Sequence, residues 1–258
     1  MLLAIDIGNS SIKFGVFDAD VLVDKFLIQT KRDYTAEELL FDRLRYVEEK
    51  FFRIDSVSVS SVVPELDTVL TDACKKMLNV TPVFVDHNFD FGLTIKYDPV
   101  TDVGTDRLIN ASGAAGKFGK PIIVCSFGTA TTIDAVNAAG EYLGGAIAPG
   151  MNTLAEALHL KTSKLPHVSI EKPESVIGGT TVNAIRSGVF FGYLGLVEGI
   201  IRRMFDELGE ATTVVATGGF AATVAENCEL INAVDENLML DGLRLLFERR
   251  AQKPMSAK

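Results

Sequence analysis

Two turns in this sequence carry residue types that bind phosphate. The first lies in residues 6–13, which read Asp-Ile-Gly-Asn-Ser-Ser-Ile-Lys and join two apolar runs. Gly8 and Asn9 tolerate the positive φ angles that we expect in this turn, and its backbone N–H groups and hydroxyls form a concave set of donors that suits phosphate oxygens. Asp6 could hold hydrated Mg²⁺ beside the phosphates, and Lys13 could add positive charge. Taken alone, such a turn is more often only a hairpin.

The second turn repeats the pattern of the first. Residues 122–136 form another apolar strand, a turn of small and hydroxyl-bearing residues, and a second strand. A shift of 120 positions places Ser126 on Asp6 and Thr129 on Asn9. Because each copy continues through a further turn into a third apolar run, the chain is expected to contain two β-meanders of similar design.

These meanders predict two similar domains, residues 1–117 and 118–258, with the last helix free to pack back on the first domain. Strands that alternate with helical patterns follow the first meander and indicate parallel pairing, so each domain should be a mixed sheet with flanking helices. Facing hairpins from two such domains would grip a polyphosphate from both sides. This arrangement resembles the actin-like ATPase (ribonuclease H-like) superfamily, which includes the sugar kinases. Structural duplication without a nucleotide is the alternative.

A further candidate site lies at the start of a predicted helix, where Thr105, Asp106 and Arg107 follow one another. An aspartate at a helix start is usually a cap. Thr105 can already serve as the cap, however, and the helix dipole favours anions at this end. The Asp106–Arg107 pair is therefore also suited to an acidic substrate and its base. Both interpretations, cap and catalytic base, are left open by this segment alone.

The composition is typical of a globular protein and argues against one class of partner, nucleic acid. The chain has 258 residues, of which 47% are hydrophobic and 23% charged, and a formal net charge of −9, which argues against nucleic acid as the main partner. No apolar run reaches about 20 residues and no basic leader precedes the first strand, so we expect a cytoplasmic protein without a membrane span. The three histidines form no cluster. The cysteines stand far apart without metal spacing and should be reduced thiols: Cys74, Cys125 and Cys228.

Taken together, the motifs resemble those of one family, the type III pantothenate kinases, from Met1 to about Arg250. Any one of the five matching segments is weak, but their order along the chain makes the resemblance specific. The segments are Asp6-Ile-Gly-Asn-Ser-Ser-Ile-Lys13, Tyr97-Asp-Pro with Val103-Gly-Thr-Asp106-Arg107, Phe127-Gly-Thr129-Ala-Thr, Gly144-Gly-Ala-Ile-Ala-Pro-Gly150, and Gly178-Gly-Thr-Thr181 with Ser187-Gly188.

The resemblance implies ATP-dependent phosphorylation of pantothenate, the first step of coenzyme A synthesis, by a homodimer that uses Mg²⁺ and a monovalent cation such as K⁺ or NH₄⁺. It implies that Asp6 serves the Mg²⁺ and that Asp106 accepts the proton of the primary hydroxyl. The implied ATP contacts are Asp6, Ile7, Gly8, Asn9, Ser10, Ser11, Ile12, Lys13 and Thr129. The implied pantothenate contacts are Tyr97, Gly104, Thr105, Asp106, Arg107 and Thr181.

Two positions depart from the family pattern. The family usually has Asp, a monovalent-cation ligand, at the position of Ser126, and Asn at the position of Thr180. The first departure puts cation dependence in doubt. Two other functions stay open: a non-catalytic relative that acts as a regulatory accessory protein, and a different kinase or phosphatase on the same fold. The presence of Asp6, Asp106 and Arg107 together favours the enzyme, because a chain without catalysis has no physical need for carboxylates at both places.

Overall fold

Both predicted meanders are present in the computed structural model, which describes residues 1–39, 44–51 and 54–252 of the chain. In chain order the strands are β1 (Leu2–Ile7), β2 (Ser11–Asp18), β3 (Val21–Gln29), β4 (Ser56–Ser61), β5 (Val83–Phe84), β6 (Thr94–Ile95), β7 (Ile122–Phe127), β8 (Ala130–Val136), β9 (Glu141–Pro149), β10 (Thr213–Thr217) and β11 (Ala233–Val234). The helices are α1 (Ala36–Leu39), α2 (Arg45–Lys50), α3 (Asp67–Leu78), α4 (Thr105–Phe118), α5 (Met151–Lys161), α6 (Thr181–Leu208), α7 (Ala221–Ala225) and α8 (Leu238–Gln252). Short 3₁₀ helices span Pro64–Leu66 and Val100–Asp102.

The first sheet has the order β3-β2-β1-β4-β5, with the meander antiparallel and β4 and β5 added in parallel. Successive residues of each strand point to opposite faces of the sheet. One face packs on the helices that follow the meander through Ile5, Phe14 and Val59. The other face carries α8, which comes close enough that a Cβ at Gly15 would lie 2.9 Å from Leu240 Cδ1.

The second sheet has the order β11-β10-β7-β8-β9-β6 and repeats the antiparallel meander in β7, β8 and β9. Its remaining neighbours are parallel: β10 beside β7, β11 beside β10, and β6 beside β9. Helix α6 packs on one face through Val189, Phe190, Tyr193 and Val197, all of which belong to the core of this sheet. The strand succession therefore matches the predicted fold class, a mixed sheet with a three-stranded meander and flanking helices.

Contacts divide the chain into two units, each built around one sheet. One unit contains Met1–Leu93, Asp98–Gly113 and the chain from Asn237 onward, so that α8 belongs with the first sheet. The other contains Thr94–Tyr97 and Ala114–Glu236. Residues 94–97 join it because β6 adds to the edge of β9. The predicted boundary after residue 117 stays a prediction, since contacts rather than chain position define these units.

Helix α6 is the only helix among the described residues that is long and apolar enough to cross a membrane. Length and composition alone are a weak criterion, because the core helix of a water-soluble protein also meets it. The face that includes Ile185, Leu194 and Ile201 is buried in the core of the second sheet.

Candidate active site

The first turn is held by backbone and side-chain hydrogen bonds from its own unit. Gly8 N donates to Ser11 O at 3.0 Å. Thr30, which directly follows β3, also holds the turn: its Oγ1 donates to Gly8 O at 2.6 Å and its N to Ser10 O at 3.1 Å. These bonds satisfy three of the turn's carbonyl groups. Asn9 and Ser10 lie exposed at its tip. The turn thus has the fixed backbone and open polar edge that an anion site needs.

The expectation of positive φ angles in this turn is wrong. Among the described residues, the only non-glycine residues with positive φ are Ala19 and Asn79, and Gly8 is not among the glycines with positive φ. The physical reason is the length of the turn. Ile7 pairs with Ile12, so the turn exceeds the two-residue hairpin turns that require positive φ.

Asp6 lies in a polar row that crosses three neighbouring strands. Cross-strand register places it opposite Lys13 on β2 and opposite Ser60 on β4. Lys13 Nζ lies 3.9 Å from Asp6 Oδ2, and the Asp6 side chain is only 13% exposed. Residues paired in this way project to the same face of a sheet, so the carboxylate has an ammonium group on one side and a hydroxyl on the other.

Burial raises the pKa of Asp6 from 3.8 to about 6. Lys13 counteracts this rise, the negative charge of Asp106 adds to it, and Ser60 lowers it to a smaller degree. The ionised form is therefore disfavoured until a positive charge arrives. Since Asp6 and Asp106 both belong to the first unit, that unit alone brings together the two carboxylates that the sequence singled out.

Asp106 lies in the first turn of α4, which begins at Thr105. The carbonyl of Gly104 accepts from the N–H groups of Arg107 at 3.1 Å and Leu108 at 3.4 Å, so the helical hydrogen bonds start at Gly104. Thr105 is thus the first helical residue and not the cap that the sequence suggested, because the chain enters the helix one residue earlier. Arg107 is buried, only 5% of it exposed.

Gly104 leaves room for the Asp106 carboxylate, since a Cβ at position 104 would collide with Asp106 Oδ1. We expect Gly104→Ala to fold normally, because the displaced atom is the end of a mobile side chain, and to lower kcat by about 10²-fold, the typical effect of a 1 Å misplacement of a catalytic group. Steady-state kinetics and thermal unfolding would measure the two effects. Gly192→Ala is a matched control, because no atom lies within 4 Å of a Cβ there and the residue lies outside the site segments. An unchanged kcat in Gly104→Ala would contradict the role given to this glycine.

The second turn is held by α5. Thr129 O accepts from Gly150 N at 3.0 Å and from Thr153 Oγ1 at 2.7 Å, and Gly128 N donates to Ala130 O at 3.1 Å. Gly150 is required for this approach, because a Cβ there would lie 2.7 Å from Thr129 O. As in the first turn, the carbonyl groups are bonded from a neighbouring element, and residues 128–130 lie exposed.

Ser126 lies on β7 between two other hydroxyl-bearing residues, paired with Thr132 on β8 and Thr217 on β10. Asp134, two residues beyond Thr132, is buried and accepts a hydrogen bond from Tyr142 Oη at 2.7 Å. The position that corresponds to Asp6 in the second sheet is thus occupied by hydroxyl groups and no carboxylate.

The remaining predicted substrate contacts belong to the second unit. The Tyr97 ring lies against Gly144, where a Cβ would be 3.3 Å from two carbons of that ring. The centroids of the Tyr97 and Tyr142 rings are 6.5 Å apart. Thr181 is the first residue of α6, and Thr180 is its cap, its side chain accepting from Asn183 N at 3.2 Å. Tyr97 and Thr181 therefore stand on separate elements of that unit.

Sequence reasoning missed several residues that support the two turns. Thr30 and Thr153 hold turn carbonyls, Ser60 lies beside Asp6, and Tyr193 Oη lies 2.5 Å from Thr131 Oγ1 beneath the second turn. The Ser-Val-Ser-Val-Ser alternation of residues 56–60 indicated that the serines share one face of a strand. The alternation did not indicate which strand would lie next to β4.

The fold, two mixed sheets that each contain a three-stranded meander, is that of the actin-like ATPases and sugar kinases. Among solved structures of this fold, the chain is similar to an inorganic polyphosphate/ATP-glucomannokinase from Arthrobacter sp. strain KM, with a TM-score of 0.51 and 14% identity over 96% of this chain and 98% of that one. A likeness at this identity shows the fold alone.

The family is shown by sequence. The family model described as type III pantothenate kinase matches residues 2–203. A type III pantothenate kinase from Citrifermentans bemidjiense is 43% identical over 252 residues, covering 96% of this chain and 99% of the relative. Another from Paramagnetospirillum magneticum is 44% identical over 259 residues, covering 99% of both chains. The chain belongs to the type III pantothenate kinase family. It is an enzyme that phosphorylates pantothenate with ATP in the biosynthesis of coenzyme A.

Proposed function

We propose that this kinase divides its chemistry between two carboxylates of the first unit, with Asp106 as the general base and Asp6 as the residue that serves Mg²⁺. The observation that carries the proposal is that both carboxylates belong to the first unit, where the charge of Asp106 contributes to the raised pKa of Asp6. Phosphoryl transfer needs little covalent help from a protein beyond positioning, charge stabilisation and a base at the attacking hydroxyl. Asp106, at the N-terminus of α4, is suited to accept that proton.

The residues around Asp6 fit a hydrated Mg²⁺. The carboxylate is nearly buried and disfavoured as a free anion, and the buried Oγ of Ser60 beside it is close enough to lower its pKa. No group of three or more His, Cys, Asp or Glu side chains in the described ranges could hold a metal by itself. We therefore propose that Asp6 contacts Mg²⁺ through water. When bound, the ion would neutralise negative charge on the phosphates of ATP.

The polar edges of the two turns support the proposed ATP contacts. In the first unit these are the residues from Asp6 to Lys13, whose ammonium group adds the positive charge that phosphates require. In the second unit the contact is Thr129, whose own carbonyl is already engaged by α5. The carbonyls of Gly8, Ser10 and Thr129 already accept hydrogen bonds from neighbouring elements, which fixes the backbone of both turns.

The proposed pantothenate contacts are Tyr97, Gly104, Thr105, Asp106, Arg107 and Thr181. Pantothenate carries a carboxylate and a primary hydroxyl, and Arg107 suits the first while Asp106 suits the second. Arg107 is buried, and a guanidinium group withdrawn from water forms stronger hydrogen bonds with a carboxylate than an exposed one.

Ser126 leads us to propose that this enzyme does not depend on K⁺. A monovalent cation beside phosphates and a substrate carboxylate needs oxygen ligands, and a hydroxyl, which has no net charge, holds it far less well than a carboxylate. The neighbours of Ser126 in the sheet, Thr132 and Thr217, likewise supply hydroxyls. Other groups would then provide the charge.

We expect a flat response of activity to KCl in the parent and a saturable stimulation in Ser126→Asp, with choline chloride holding the ionic strength constant. Ser126→Asn is the matched control, since it has a similar size without the charge, and it should stay flat. Strong, saturable stimulation of the parent at low millimolar K⁺ would refute the proposal.

We further propose a homodimer in the cytoplasm, with no nucleic acid or membrane as partner. The second unit supports the dimer through large apolar side chains at its surface, Leu143 and Ile147 on β9 and Leu158 and Leu160 on α5. The net charge of −9 speaks against nucleic acid.

The experiment that tests the proposed substrate is a panel of acceptors with ATP and Mg²⁺, in which products are detected by mass. Pantothenate should be phosphorylated, whereas hexoses should not. Preferential phosphorylation of a sugar would favour the alternative of a different kinase on this fold.

A further inference from the structure

Ser60 carries a buried hydroxyl beside the Asp6 carboxylate. The residue is fully buried near the end of β4, and its Oγ makes no hydrogen bond of normal length and angle within the described residues, although it is close enough to Asp6 to lower the pKa of that carboxyl group. A hydroxyl withdrawn from water without a partner costs folding free energy, and an alanine at this position would avoid that cost. Stability therefore gives no reason for a serine here.

The place of Ser60 in the sheet points to a different reason. It is the register partner of Asp6 across the parallel β1–β4 pair, while Lys13 is the partner on the other side. The Lys13 ammonium group approaches Asp6 Oδ2 at 3.9 Å. The carboxylate is thus flanked by two donors in one row, of which the lysine is flexible and the serine is fixed by the sheet.

We propose that Ser60 is a positioning residue for the carboxylate of Asp6, the proposed contact of Mg²⁺. Its Oγ–H donates to one oxygen of Asp6 and so orients the other oxygen toward a water of hydrated Mg²⁺. This inference rests on the proposed role of Asp6. A short side chain held by the sheet can fix the carboxylate with little loss of side-chain entropy.

The same strand supplies a matched control. Ser58 is also fully buried and projects from the same face of β4, but its register partner is Ala4. Its hydroxyl is used by the fold, since Ser58 Oγ donates to Leu243 O at 3.4 Å. Ser58→Ala therefore removes an equally buried hydroxyl from the same strand without touching the partner of Asp6.

The test compares the parent with Ser60→Ala, Ser58→Ala and Asp6→Asn by calorimetry of ATP binding with and without Mg²⁺. The measured quantity is the Kd without Mg²⁺ divided by the Kd with Mg²⁺. This ratio reports how much Mg²⁺ strengthens ATP binding. We expect Ser60→Ala to lower this ratio by about 10-fold, the lower end of the effect of removing an outer-shell partner of a metal ligand. Its Tm without Mg²⁺ and nucleotide should stay close to that of the parent, because the fold makes no hydrogen bond of normal geometry to this hydroxyl.

The outcomes separate this inference from the proposal on which it rests. A ratio that falls in Asp6→Asn and Ser60→Ala but not in Ser58→Ala supports both. If Asp6→Asn keeps the ratio of the parent, the proposed role of Asp6 is wrong and the inference falls with it. The inference is overturned, and the role of Asp6 stands, if the ratio falls in Asp6→Asn but not in Ser60→Ala. The same conclusion follows if the ratio falls as much in Ser58→Ala as in Ser60→Ala.

Discussion

Asp106→Asn is expected to slow phosphoryl transfer by about 10²- to 10⁴-fold, the usual effect of removing a general base, while leaving the fold and most substrate binding intact. The amide has the shape of the carboxylate and lacks its basicity. Asp106 lies in the first turn of α4, where either group can occupy the space that Gly104 leaves. The loss should therefore appear in kcat and much less in the Kd of pantothenate.

Single-turnover kinetics with detection of phosphopantothenate would measure this effect, and calorimetry would measure binding. Asp102→Asn is a suitable control, because it makes the same substitution at an exposed position shortly before the helix. A rate near that of the parent in Asp106→Asn would mean that Asp106 only stabilises the helix start and that the base has been assigned wrongly.

Asp6→Asn is expected to reduce kcat/KM for Mg·ATP by roughly 10²- to 10³-fold, because several kcal/mol of charge stabilisation by the metal depend on this carboxylate. Binding of pantothenate should be largely retained, since its proposed contacts lie on other segments. Calorimetry with each substrate would distinguish the two. Equal loss of both would indicate a disrupted first unit.

The same variant should change the pH dependence of stability in the absence of metal and nucleotide. Burial raises the pKa of Asp6 from 3.8 to about 6, so between these pH values the folded state binds more protons than the unfolded state. The stability of the parent consequently falls as the pH rises through this window. Asparagine has no proton to lose. We expect Asp6→Asn to gain stability relative to the parent by up to about 3 kcal/mol between pH 4 and pH 6, and no more above it.

Urea unfolding at several pH values would measure this gain, with Asp18→Asn as a control at an exposed position at the end of β2. A stability difference between Asp6→Asn and the parent that stayed constant from pH 4 to pH 7 would contradict the raised pKa.

The fold class could be predicted from the sequence because its signals are local and occur twice. Residues 2–29 and 122–149 each contain three apolar runs separated by turn residues, and the structure has a meander in each. The same local character explains how the segments around Asp6 and Asp106 could be singled out. Each has a carboxylate at the end of a predicted strand or at the start of a predicted helix. Such a combination can be recognised in a short stretch of sequence.

The rest of the candidate site depends on which strands become neighbours. Ser60 and Asp6 are far apart in the sequence and meet only because β4 pairs in parallel with β1. Thr30 reaches the first turn because β3 returns along β2. The φ angles of the first turn were predicted wrongly for a related reason, since the residues that end the strand pairing, Ile7 and Ile12, were not evident from the sequence.

The central claim, that two carboxylates of the first unit perform the phosphorylation of pantothenate, is tested most directly by one measurement. The parent, Asp6→Asn and Asp106→Asn are incubated in parallel with ATP, Mg²⁺ and pantothenate, and phosphopantothenate is quantified by mass. We predict that the parent forms the product, that both variants lose most of it, and that Asp106→Asn still binds both substrates. A folded parent that binds ATP but forms no phosphopantothenate would contradict the account and favour a non-catalytic, regulatory relative of the family.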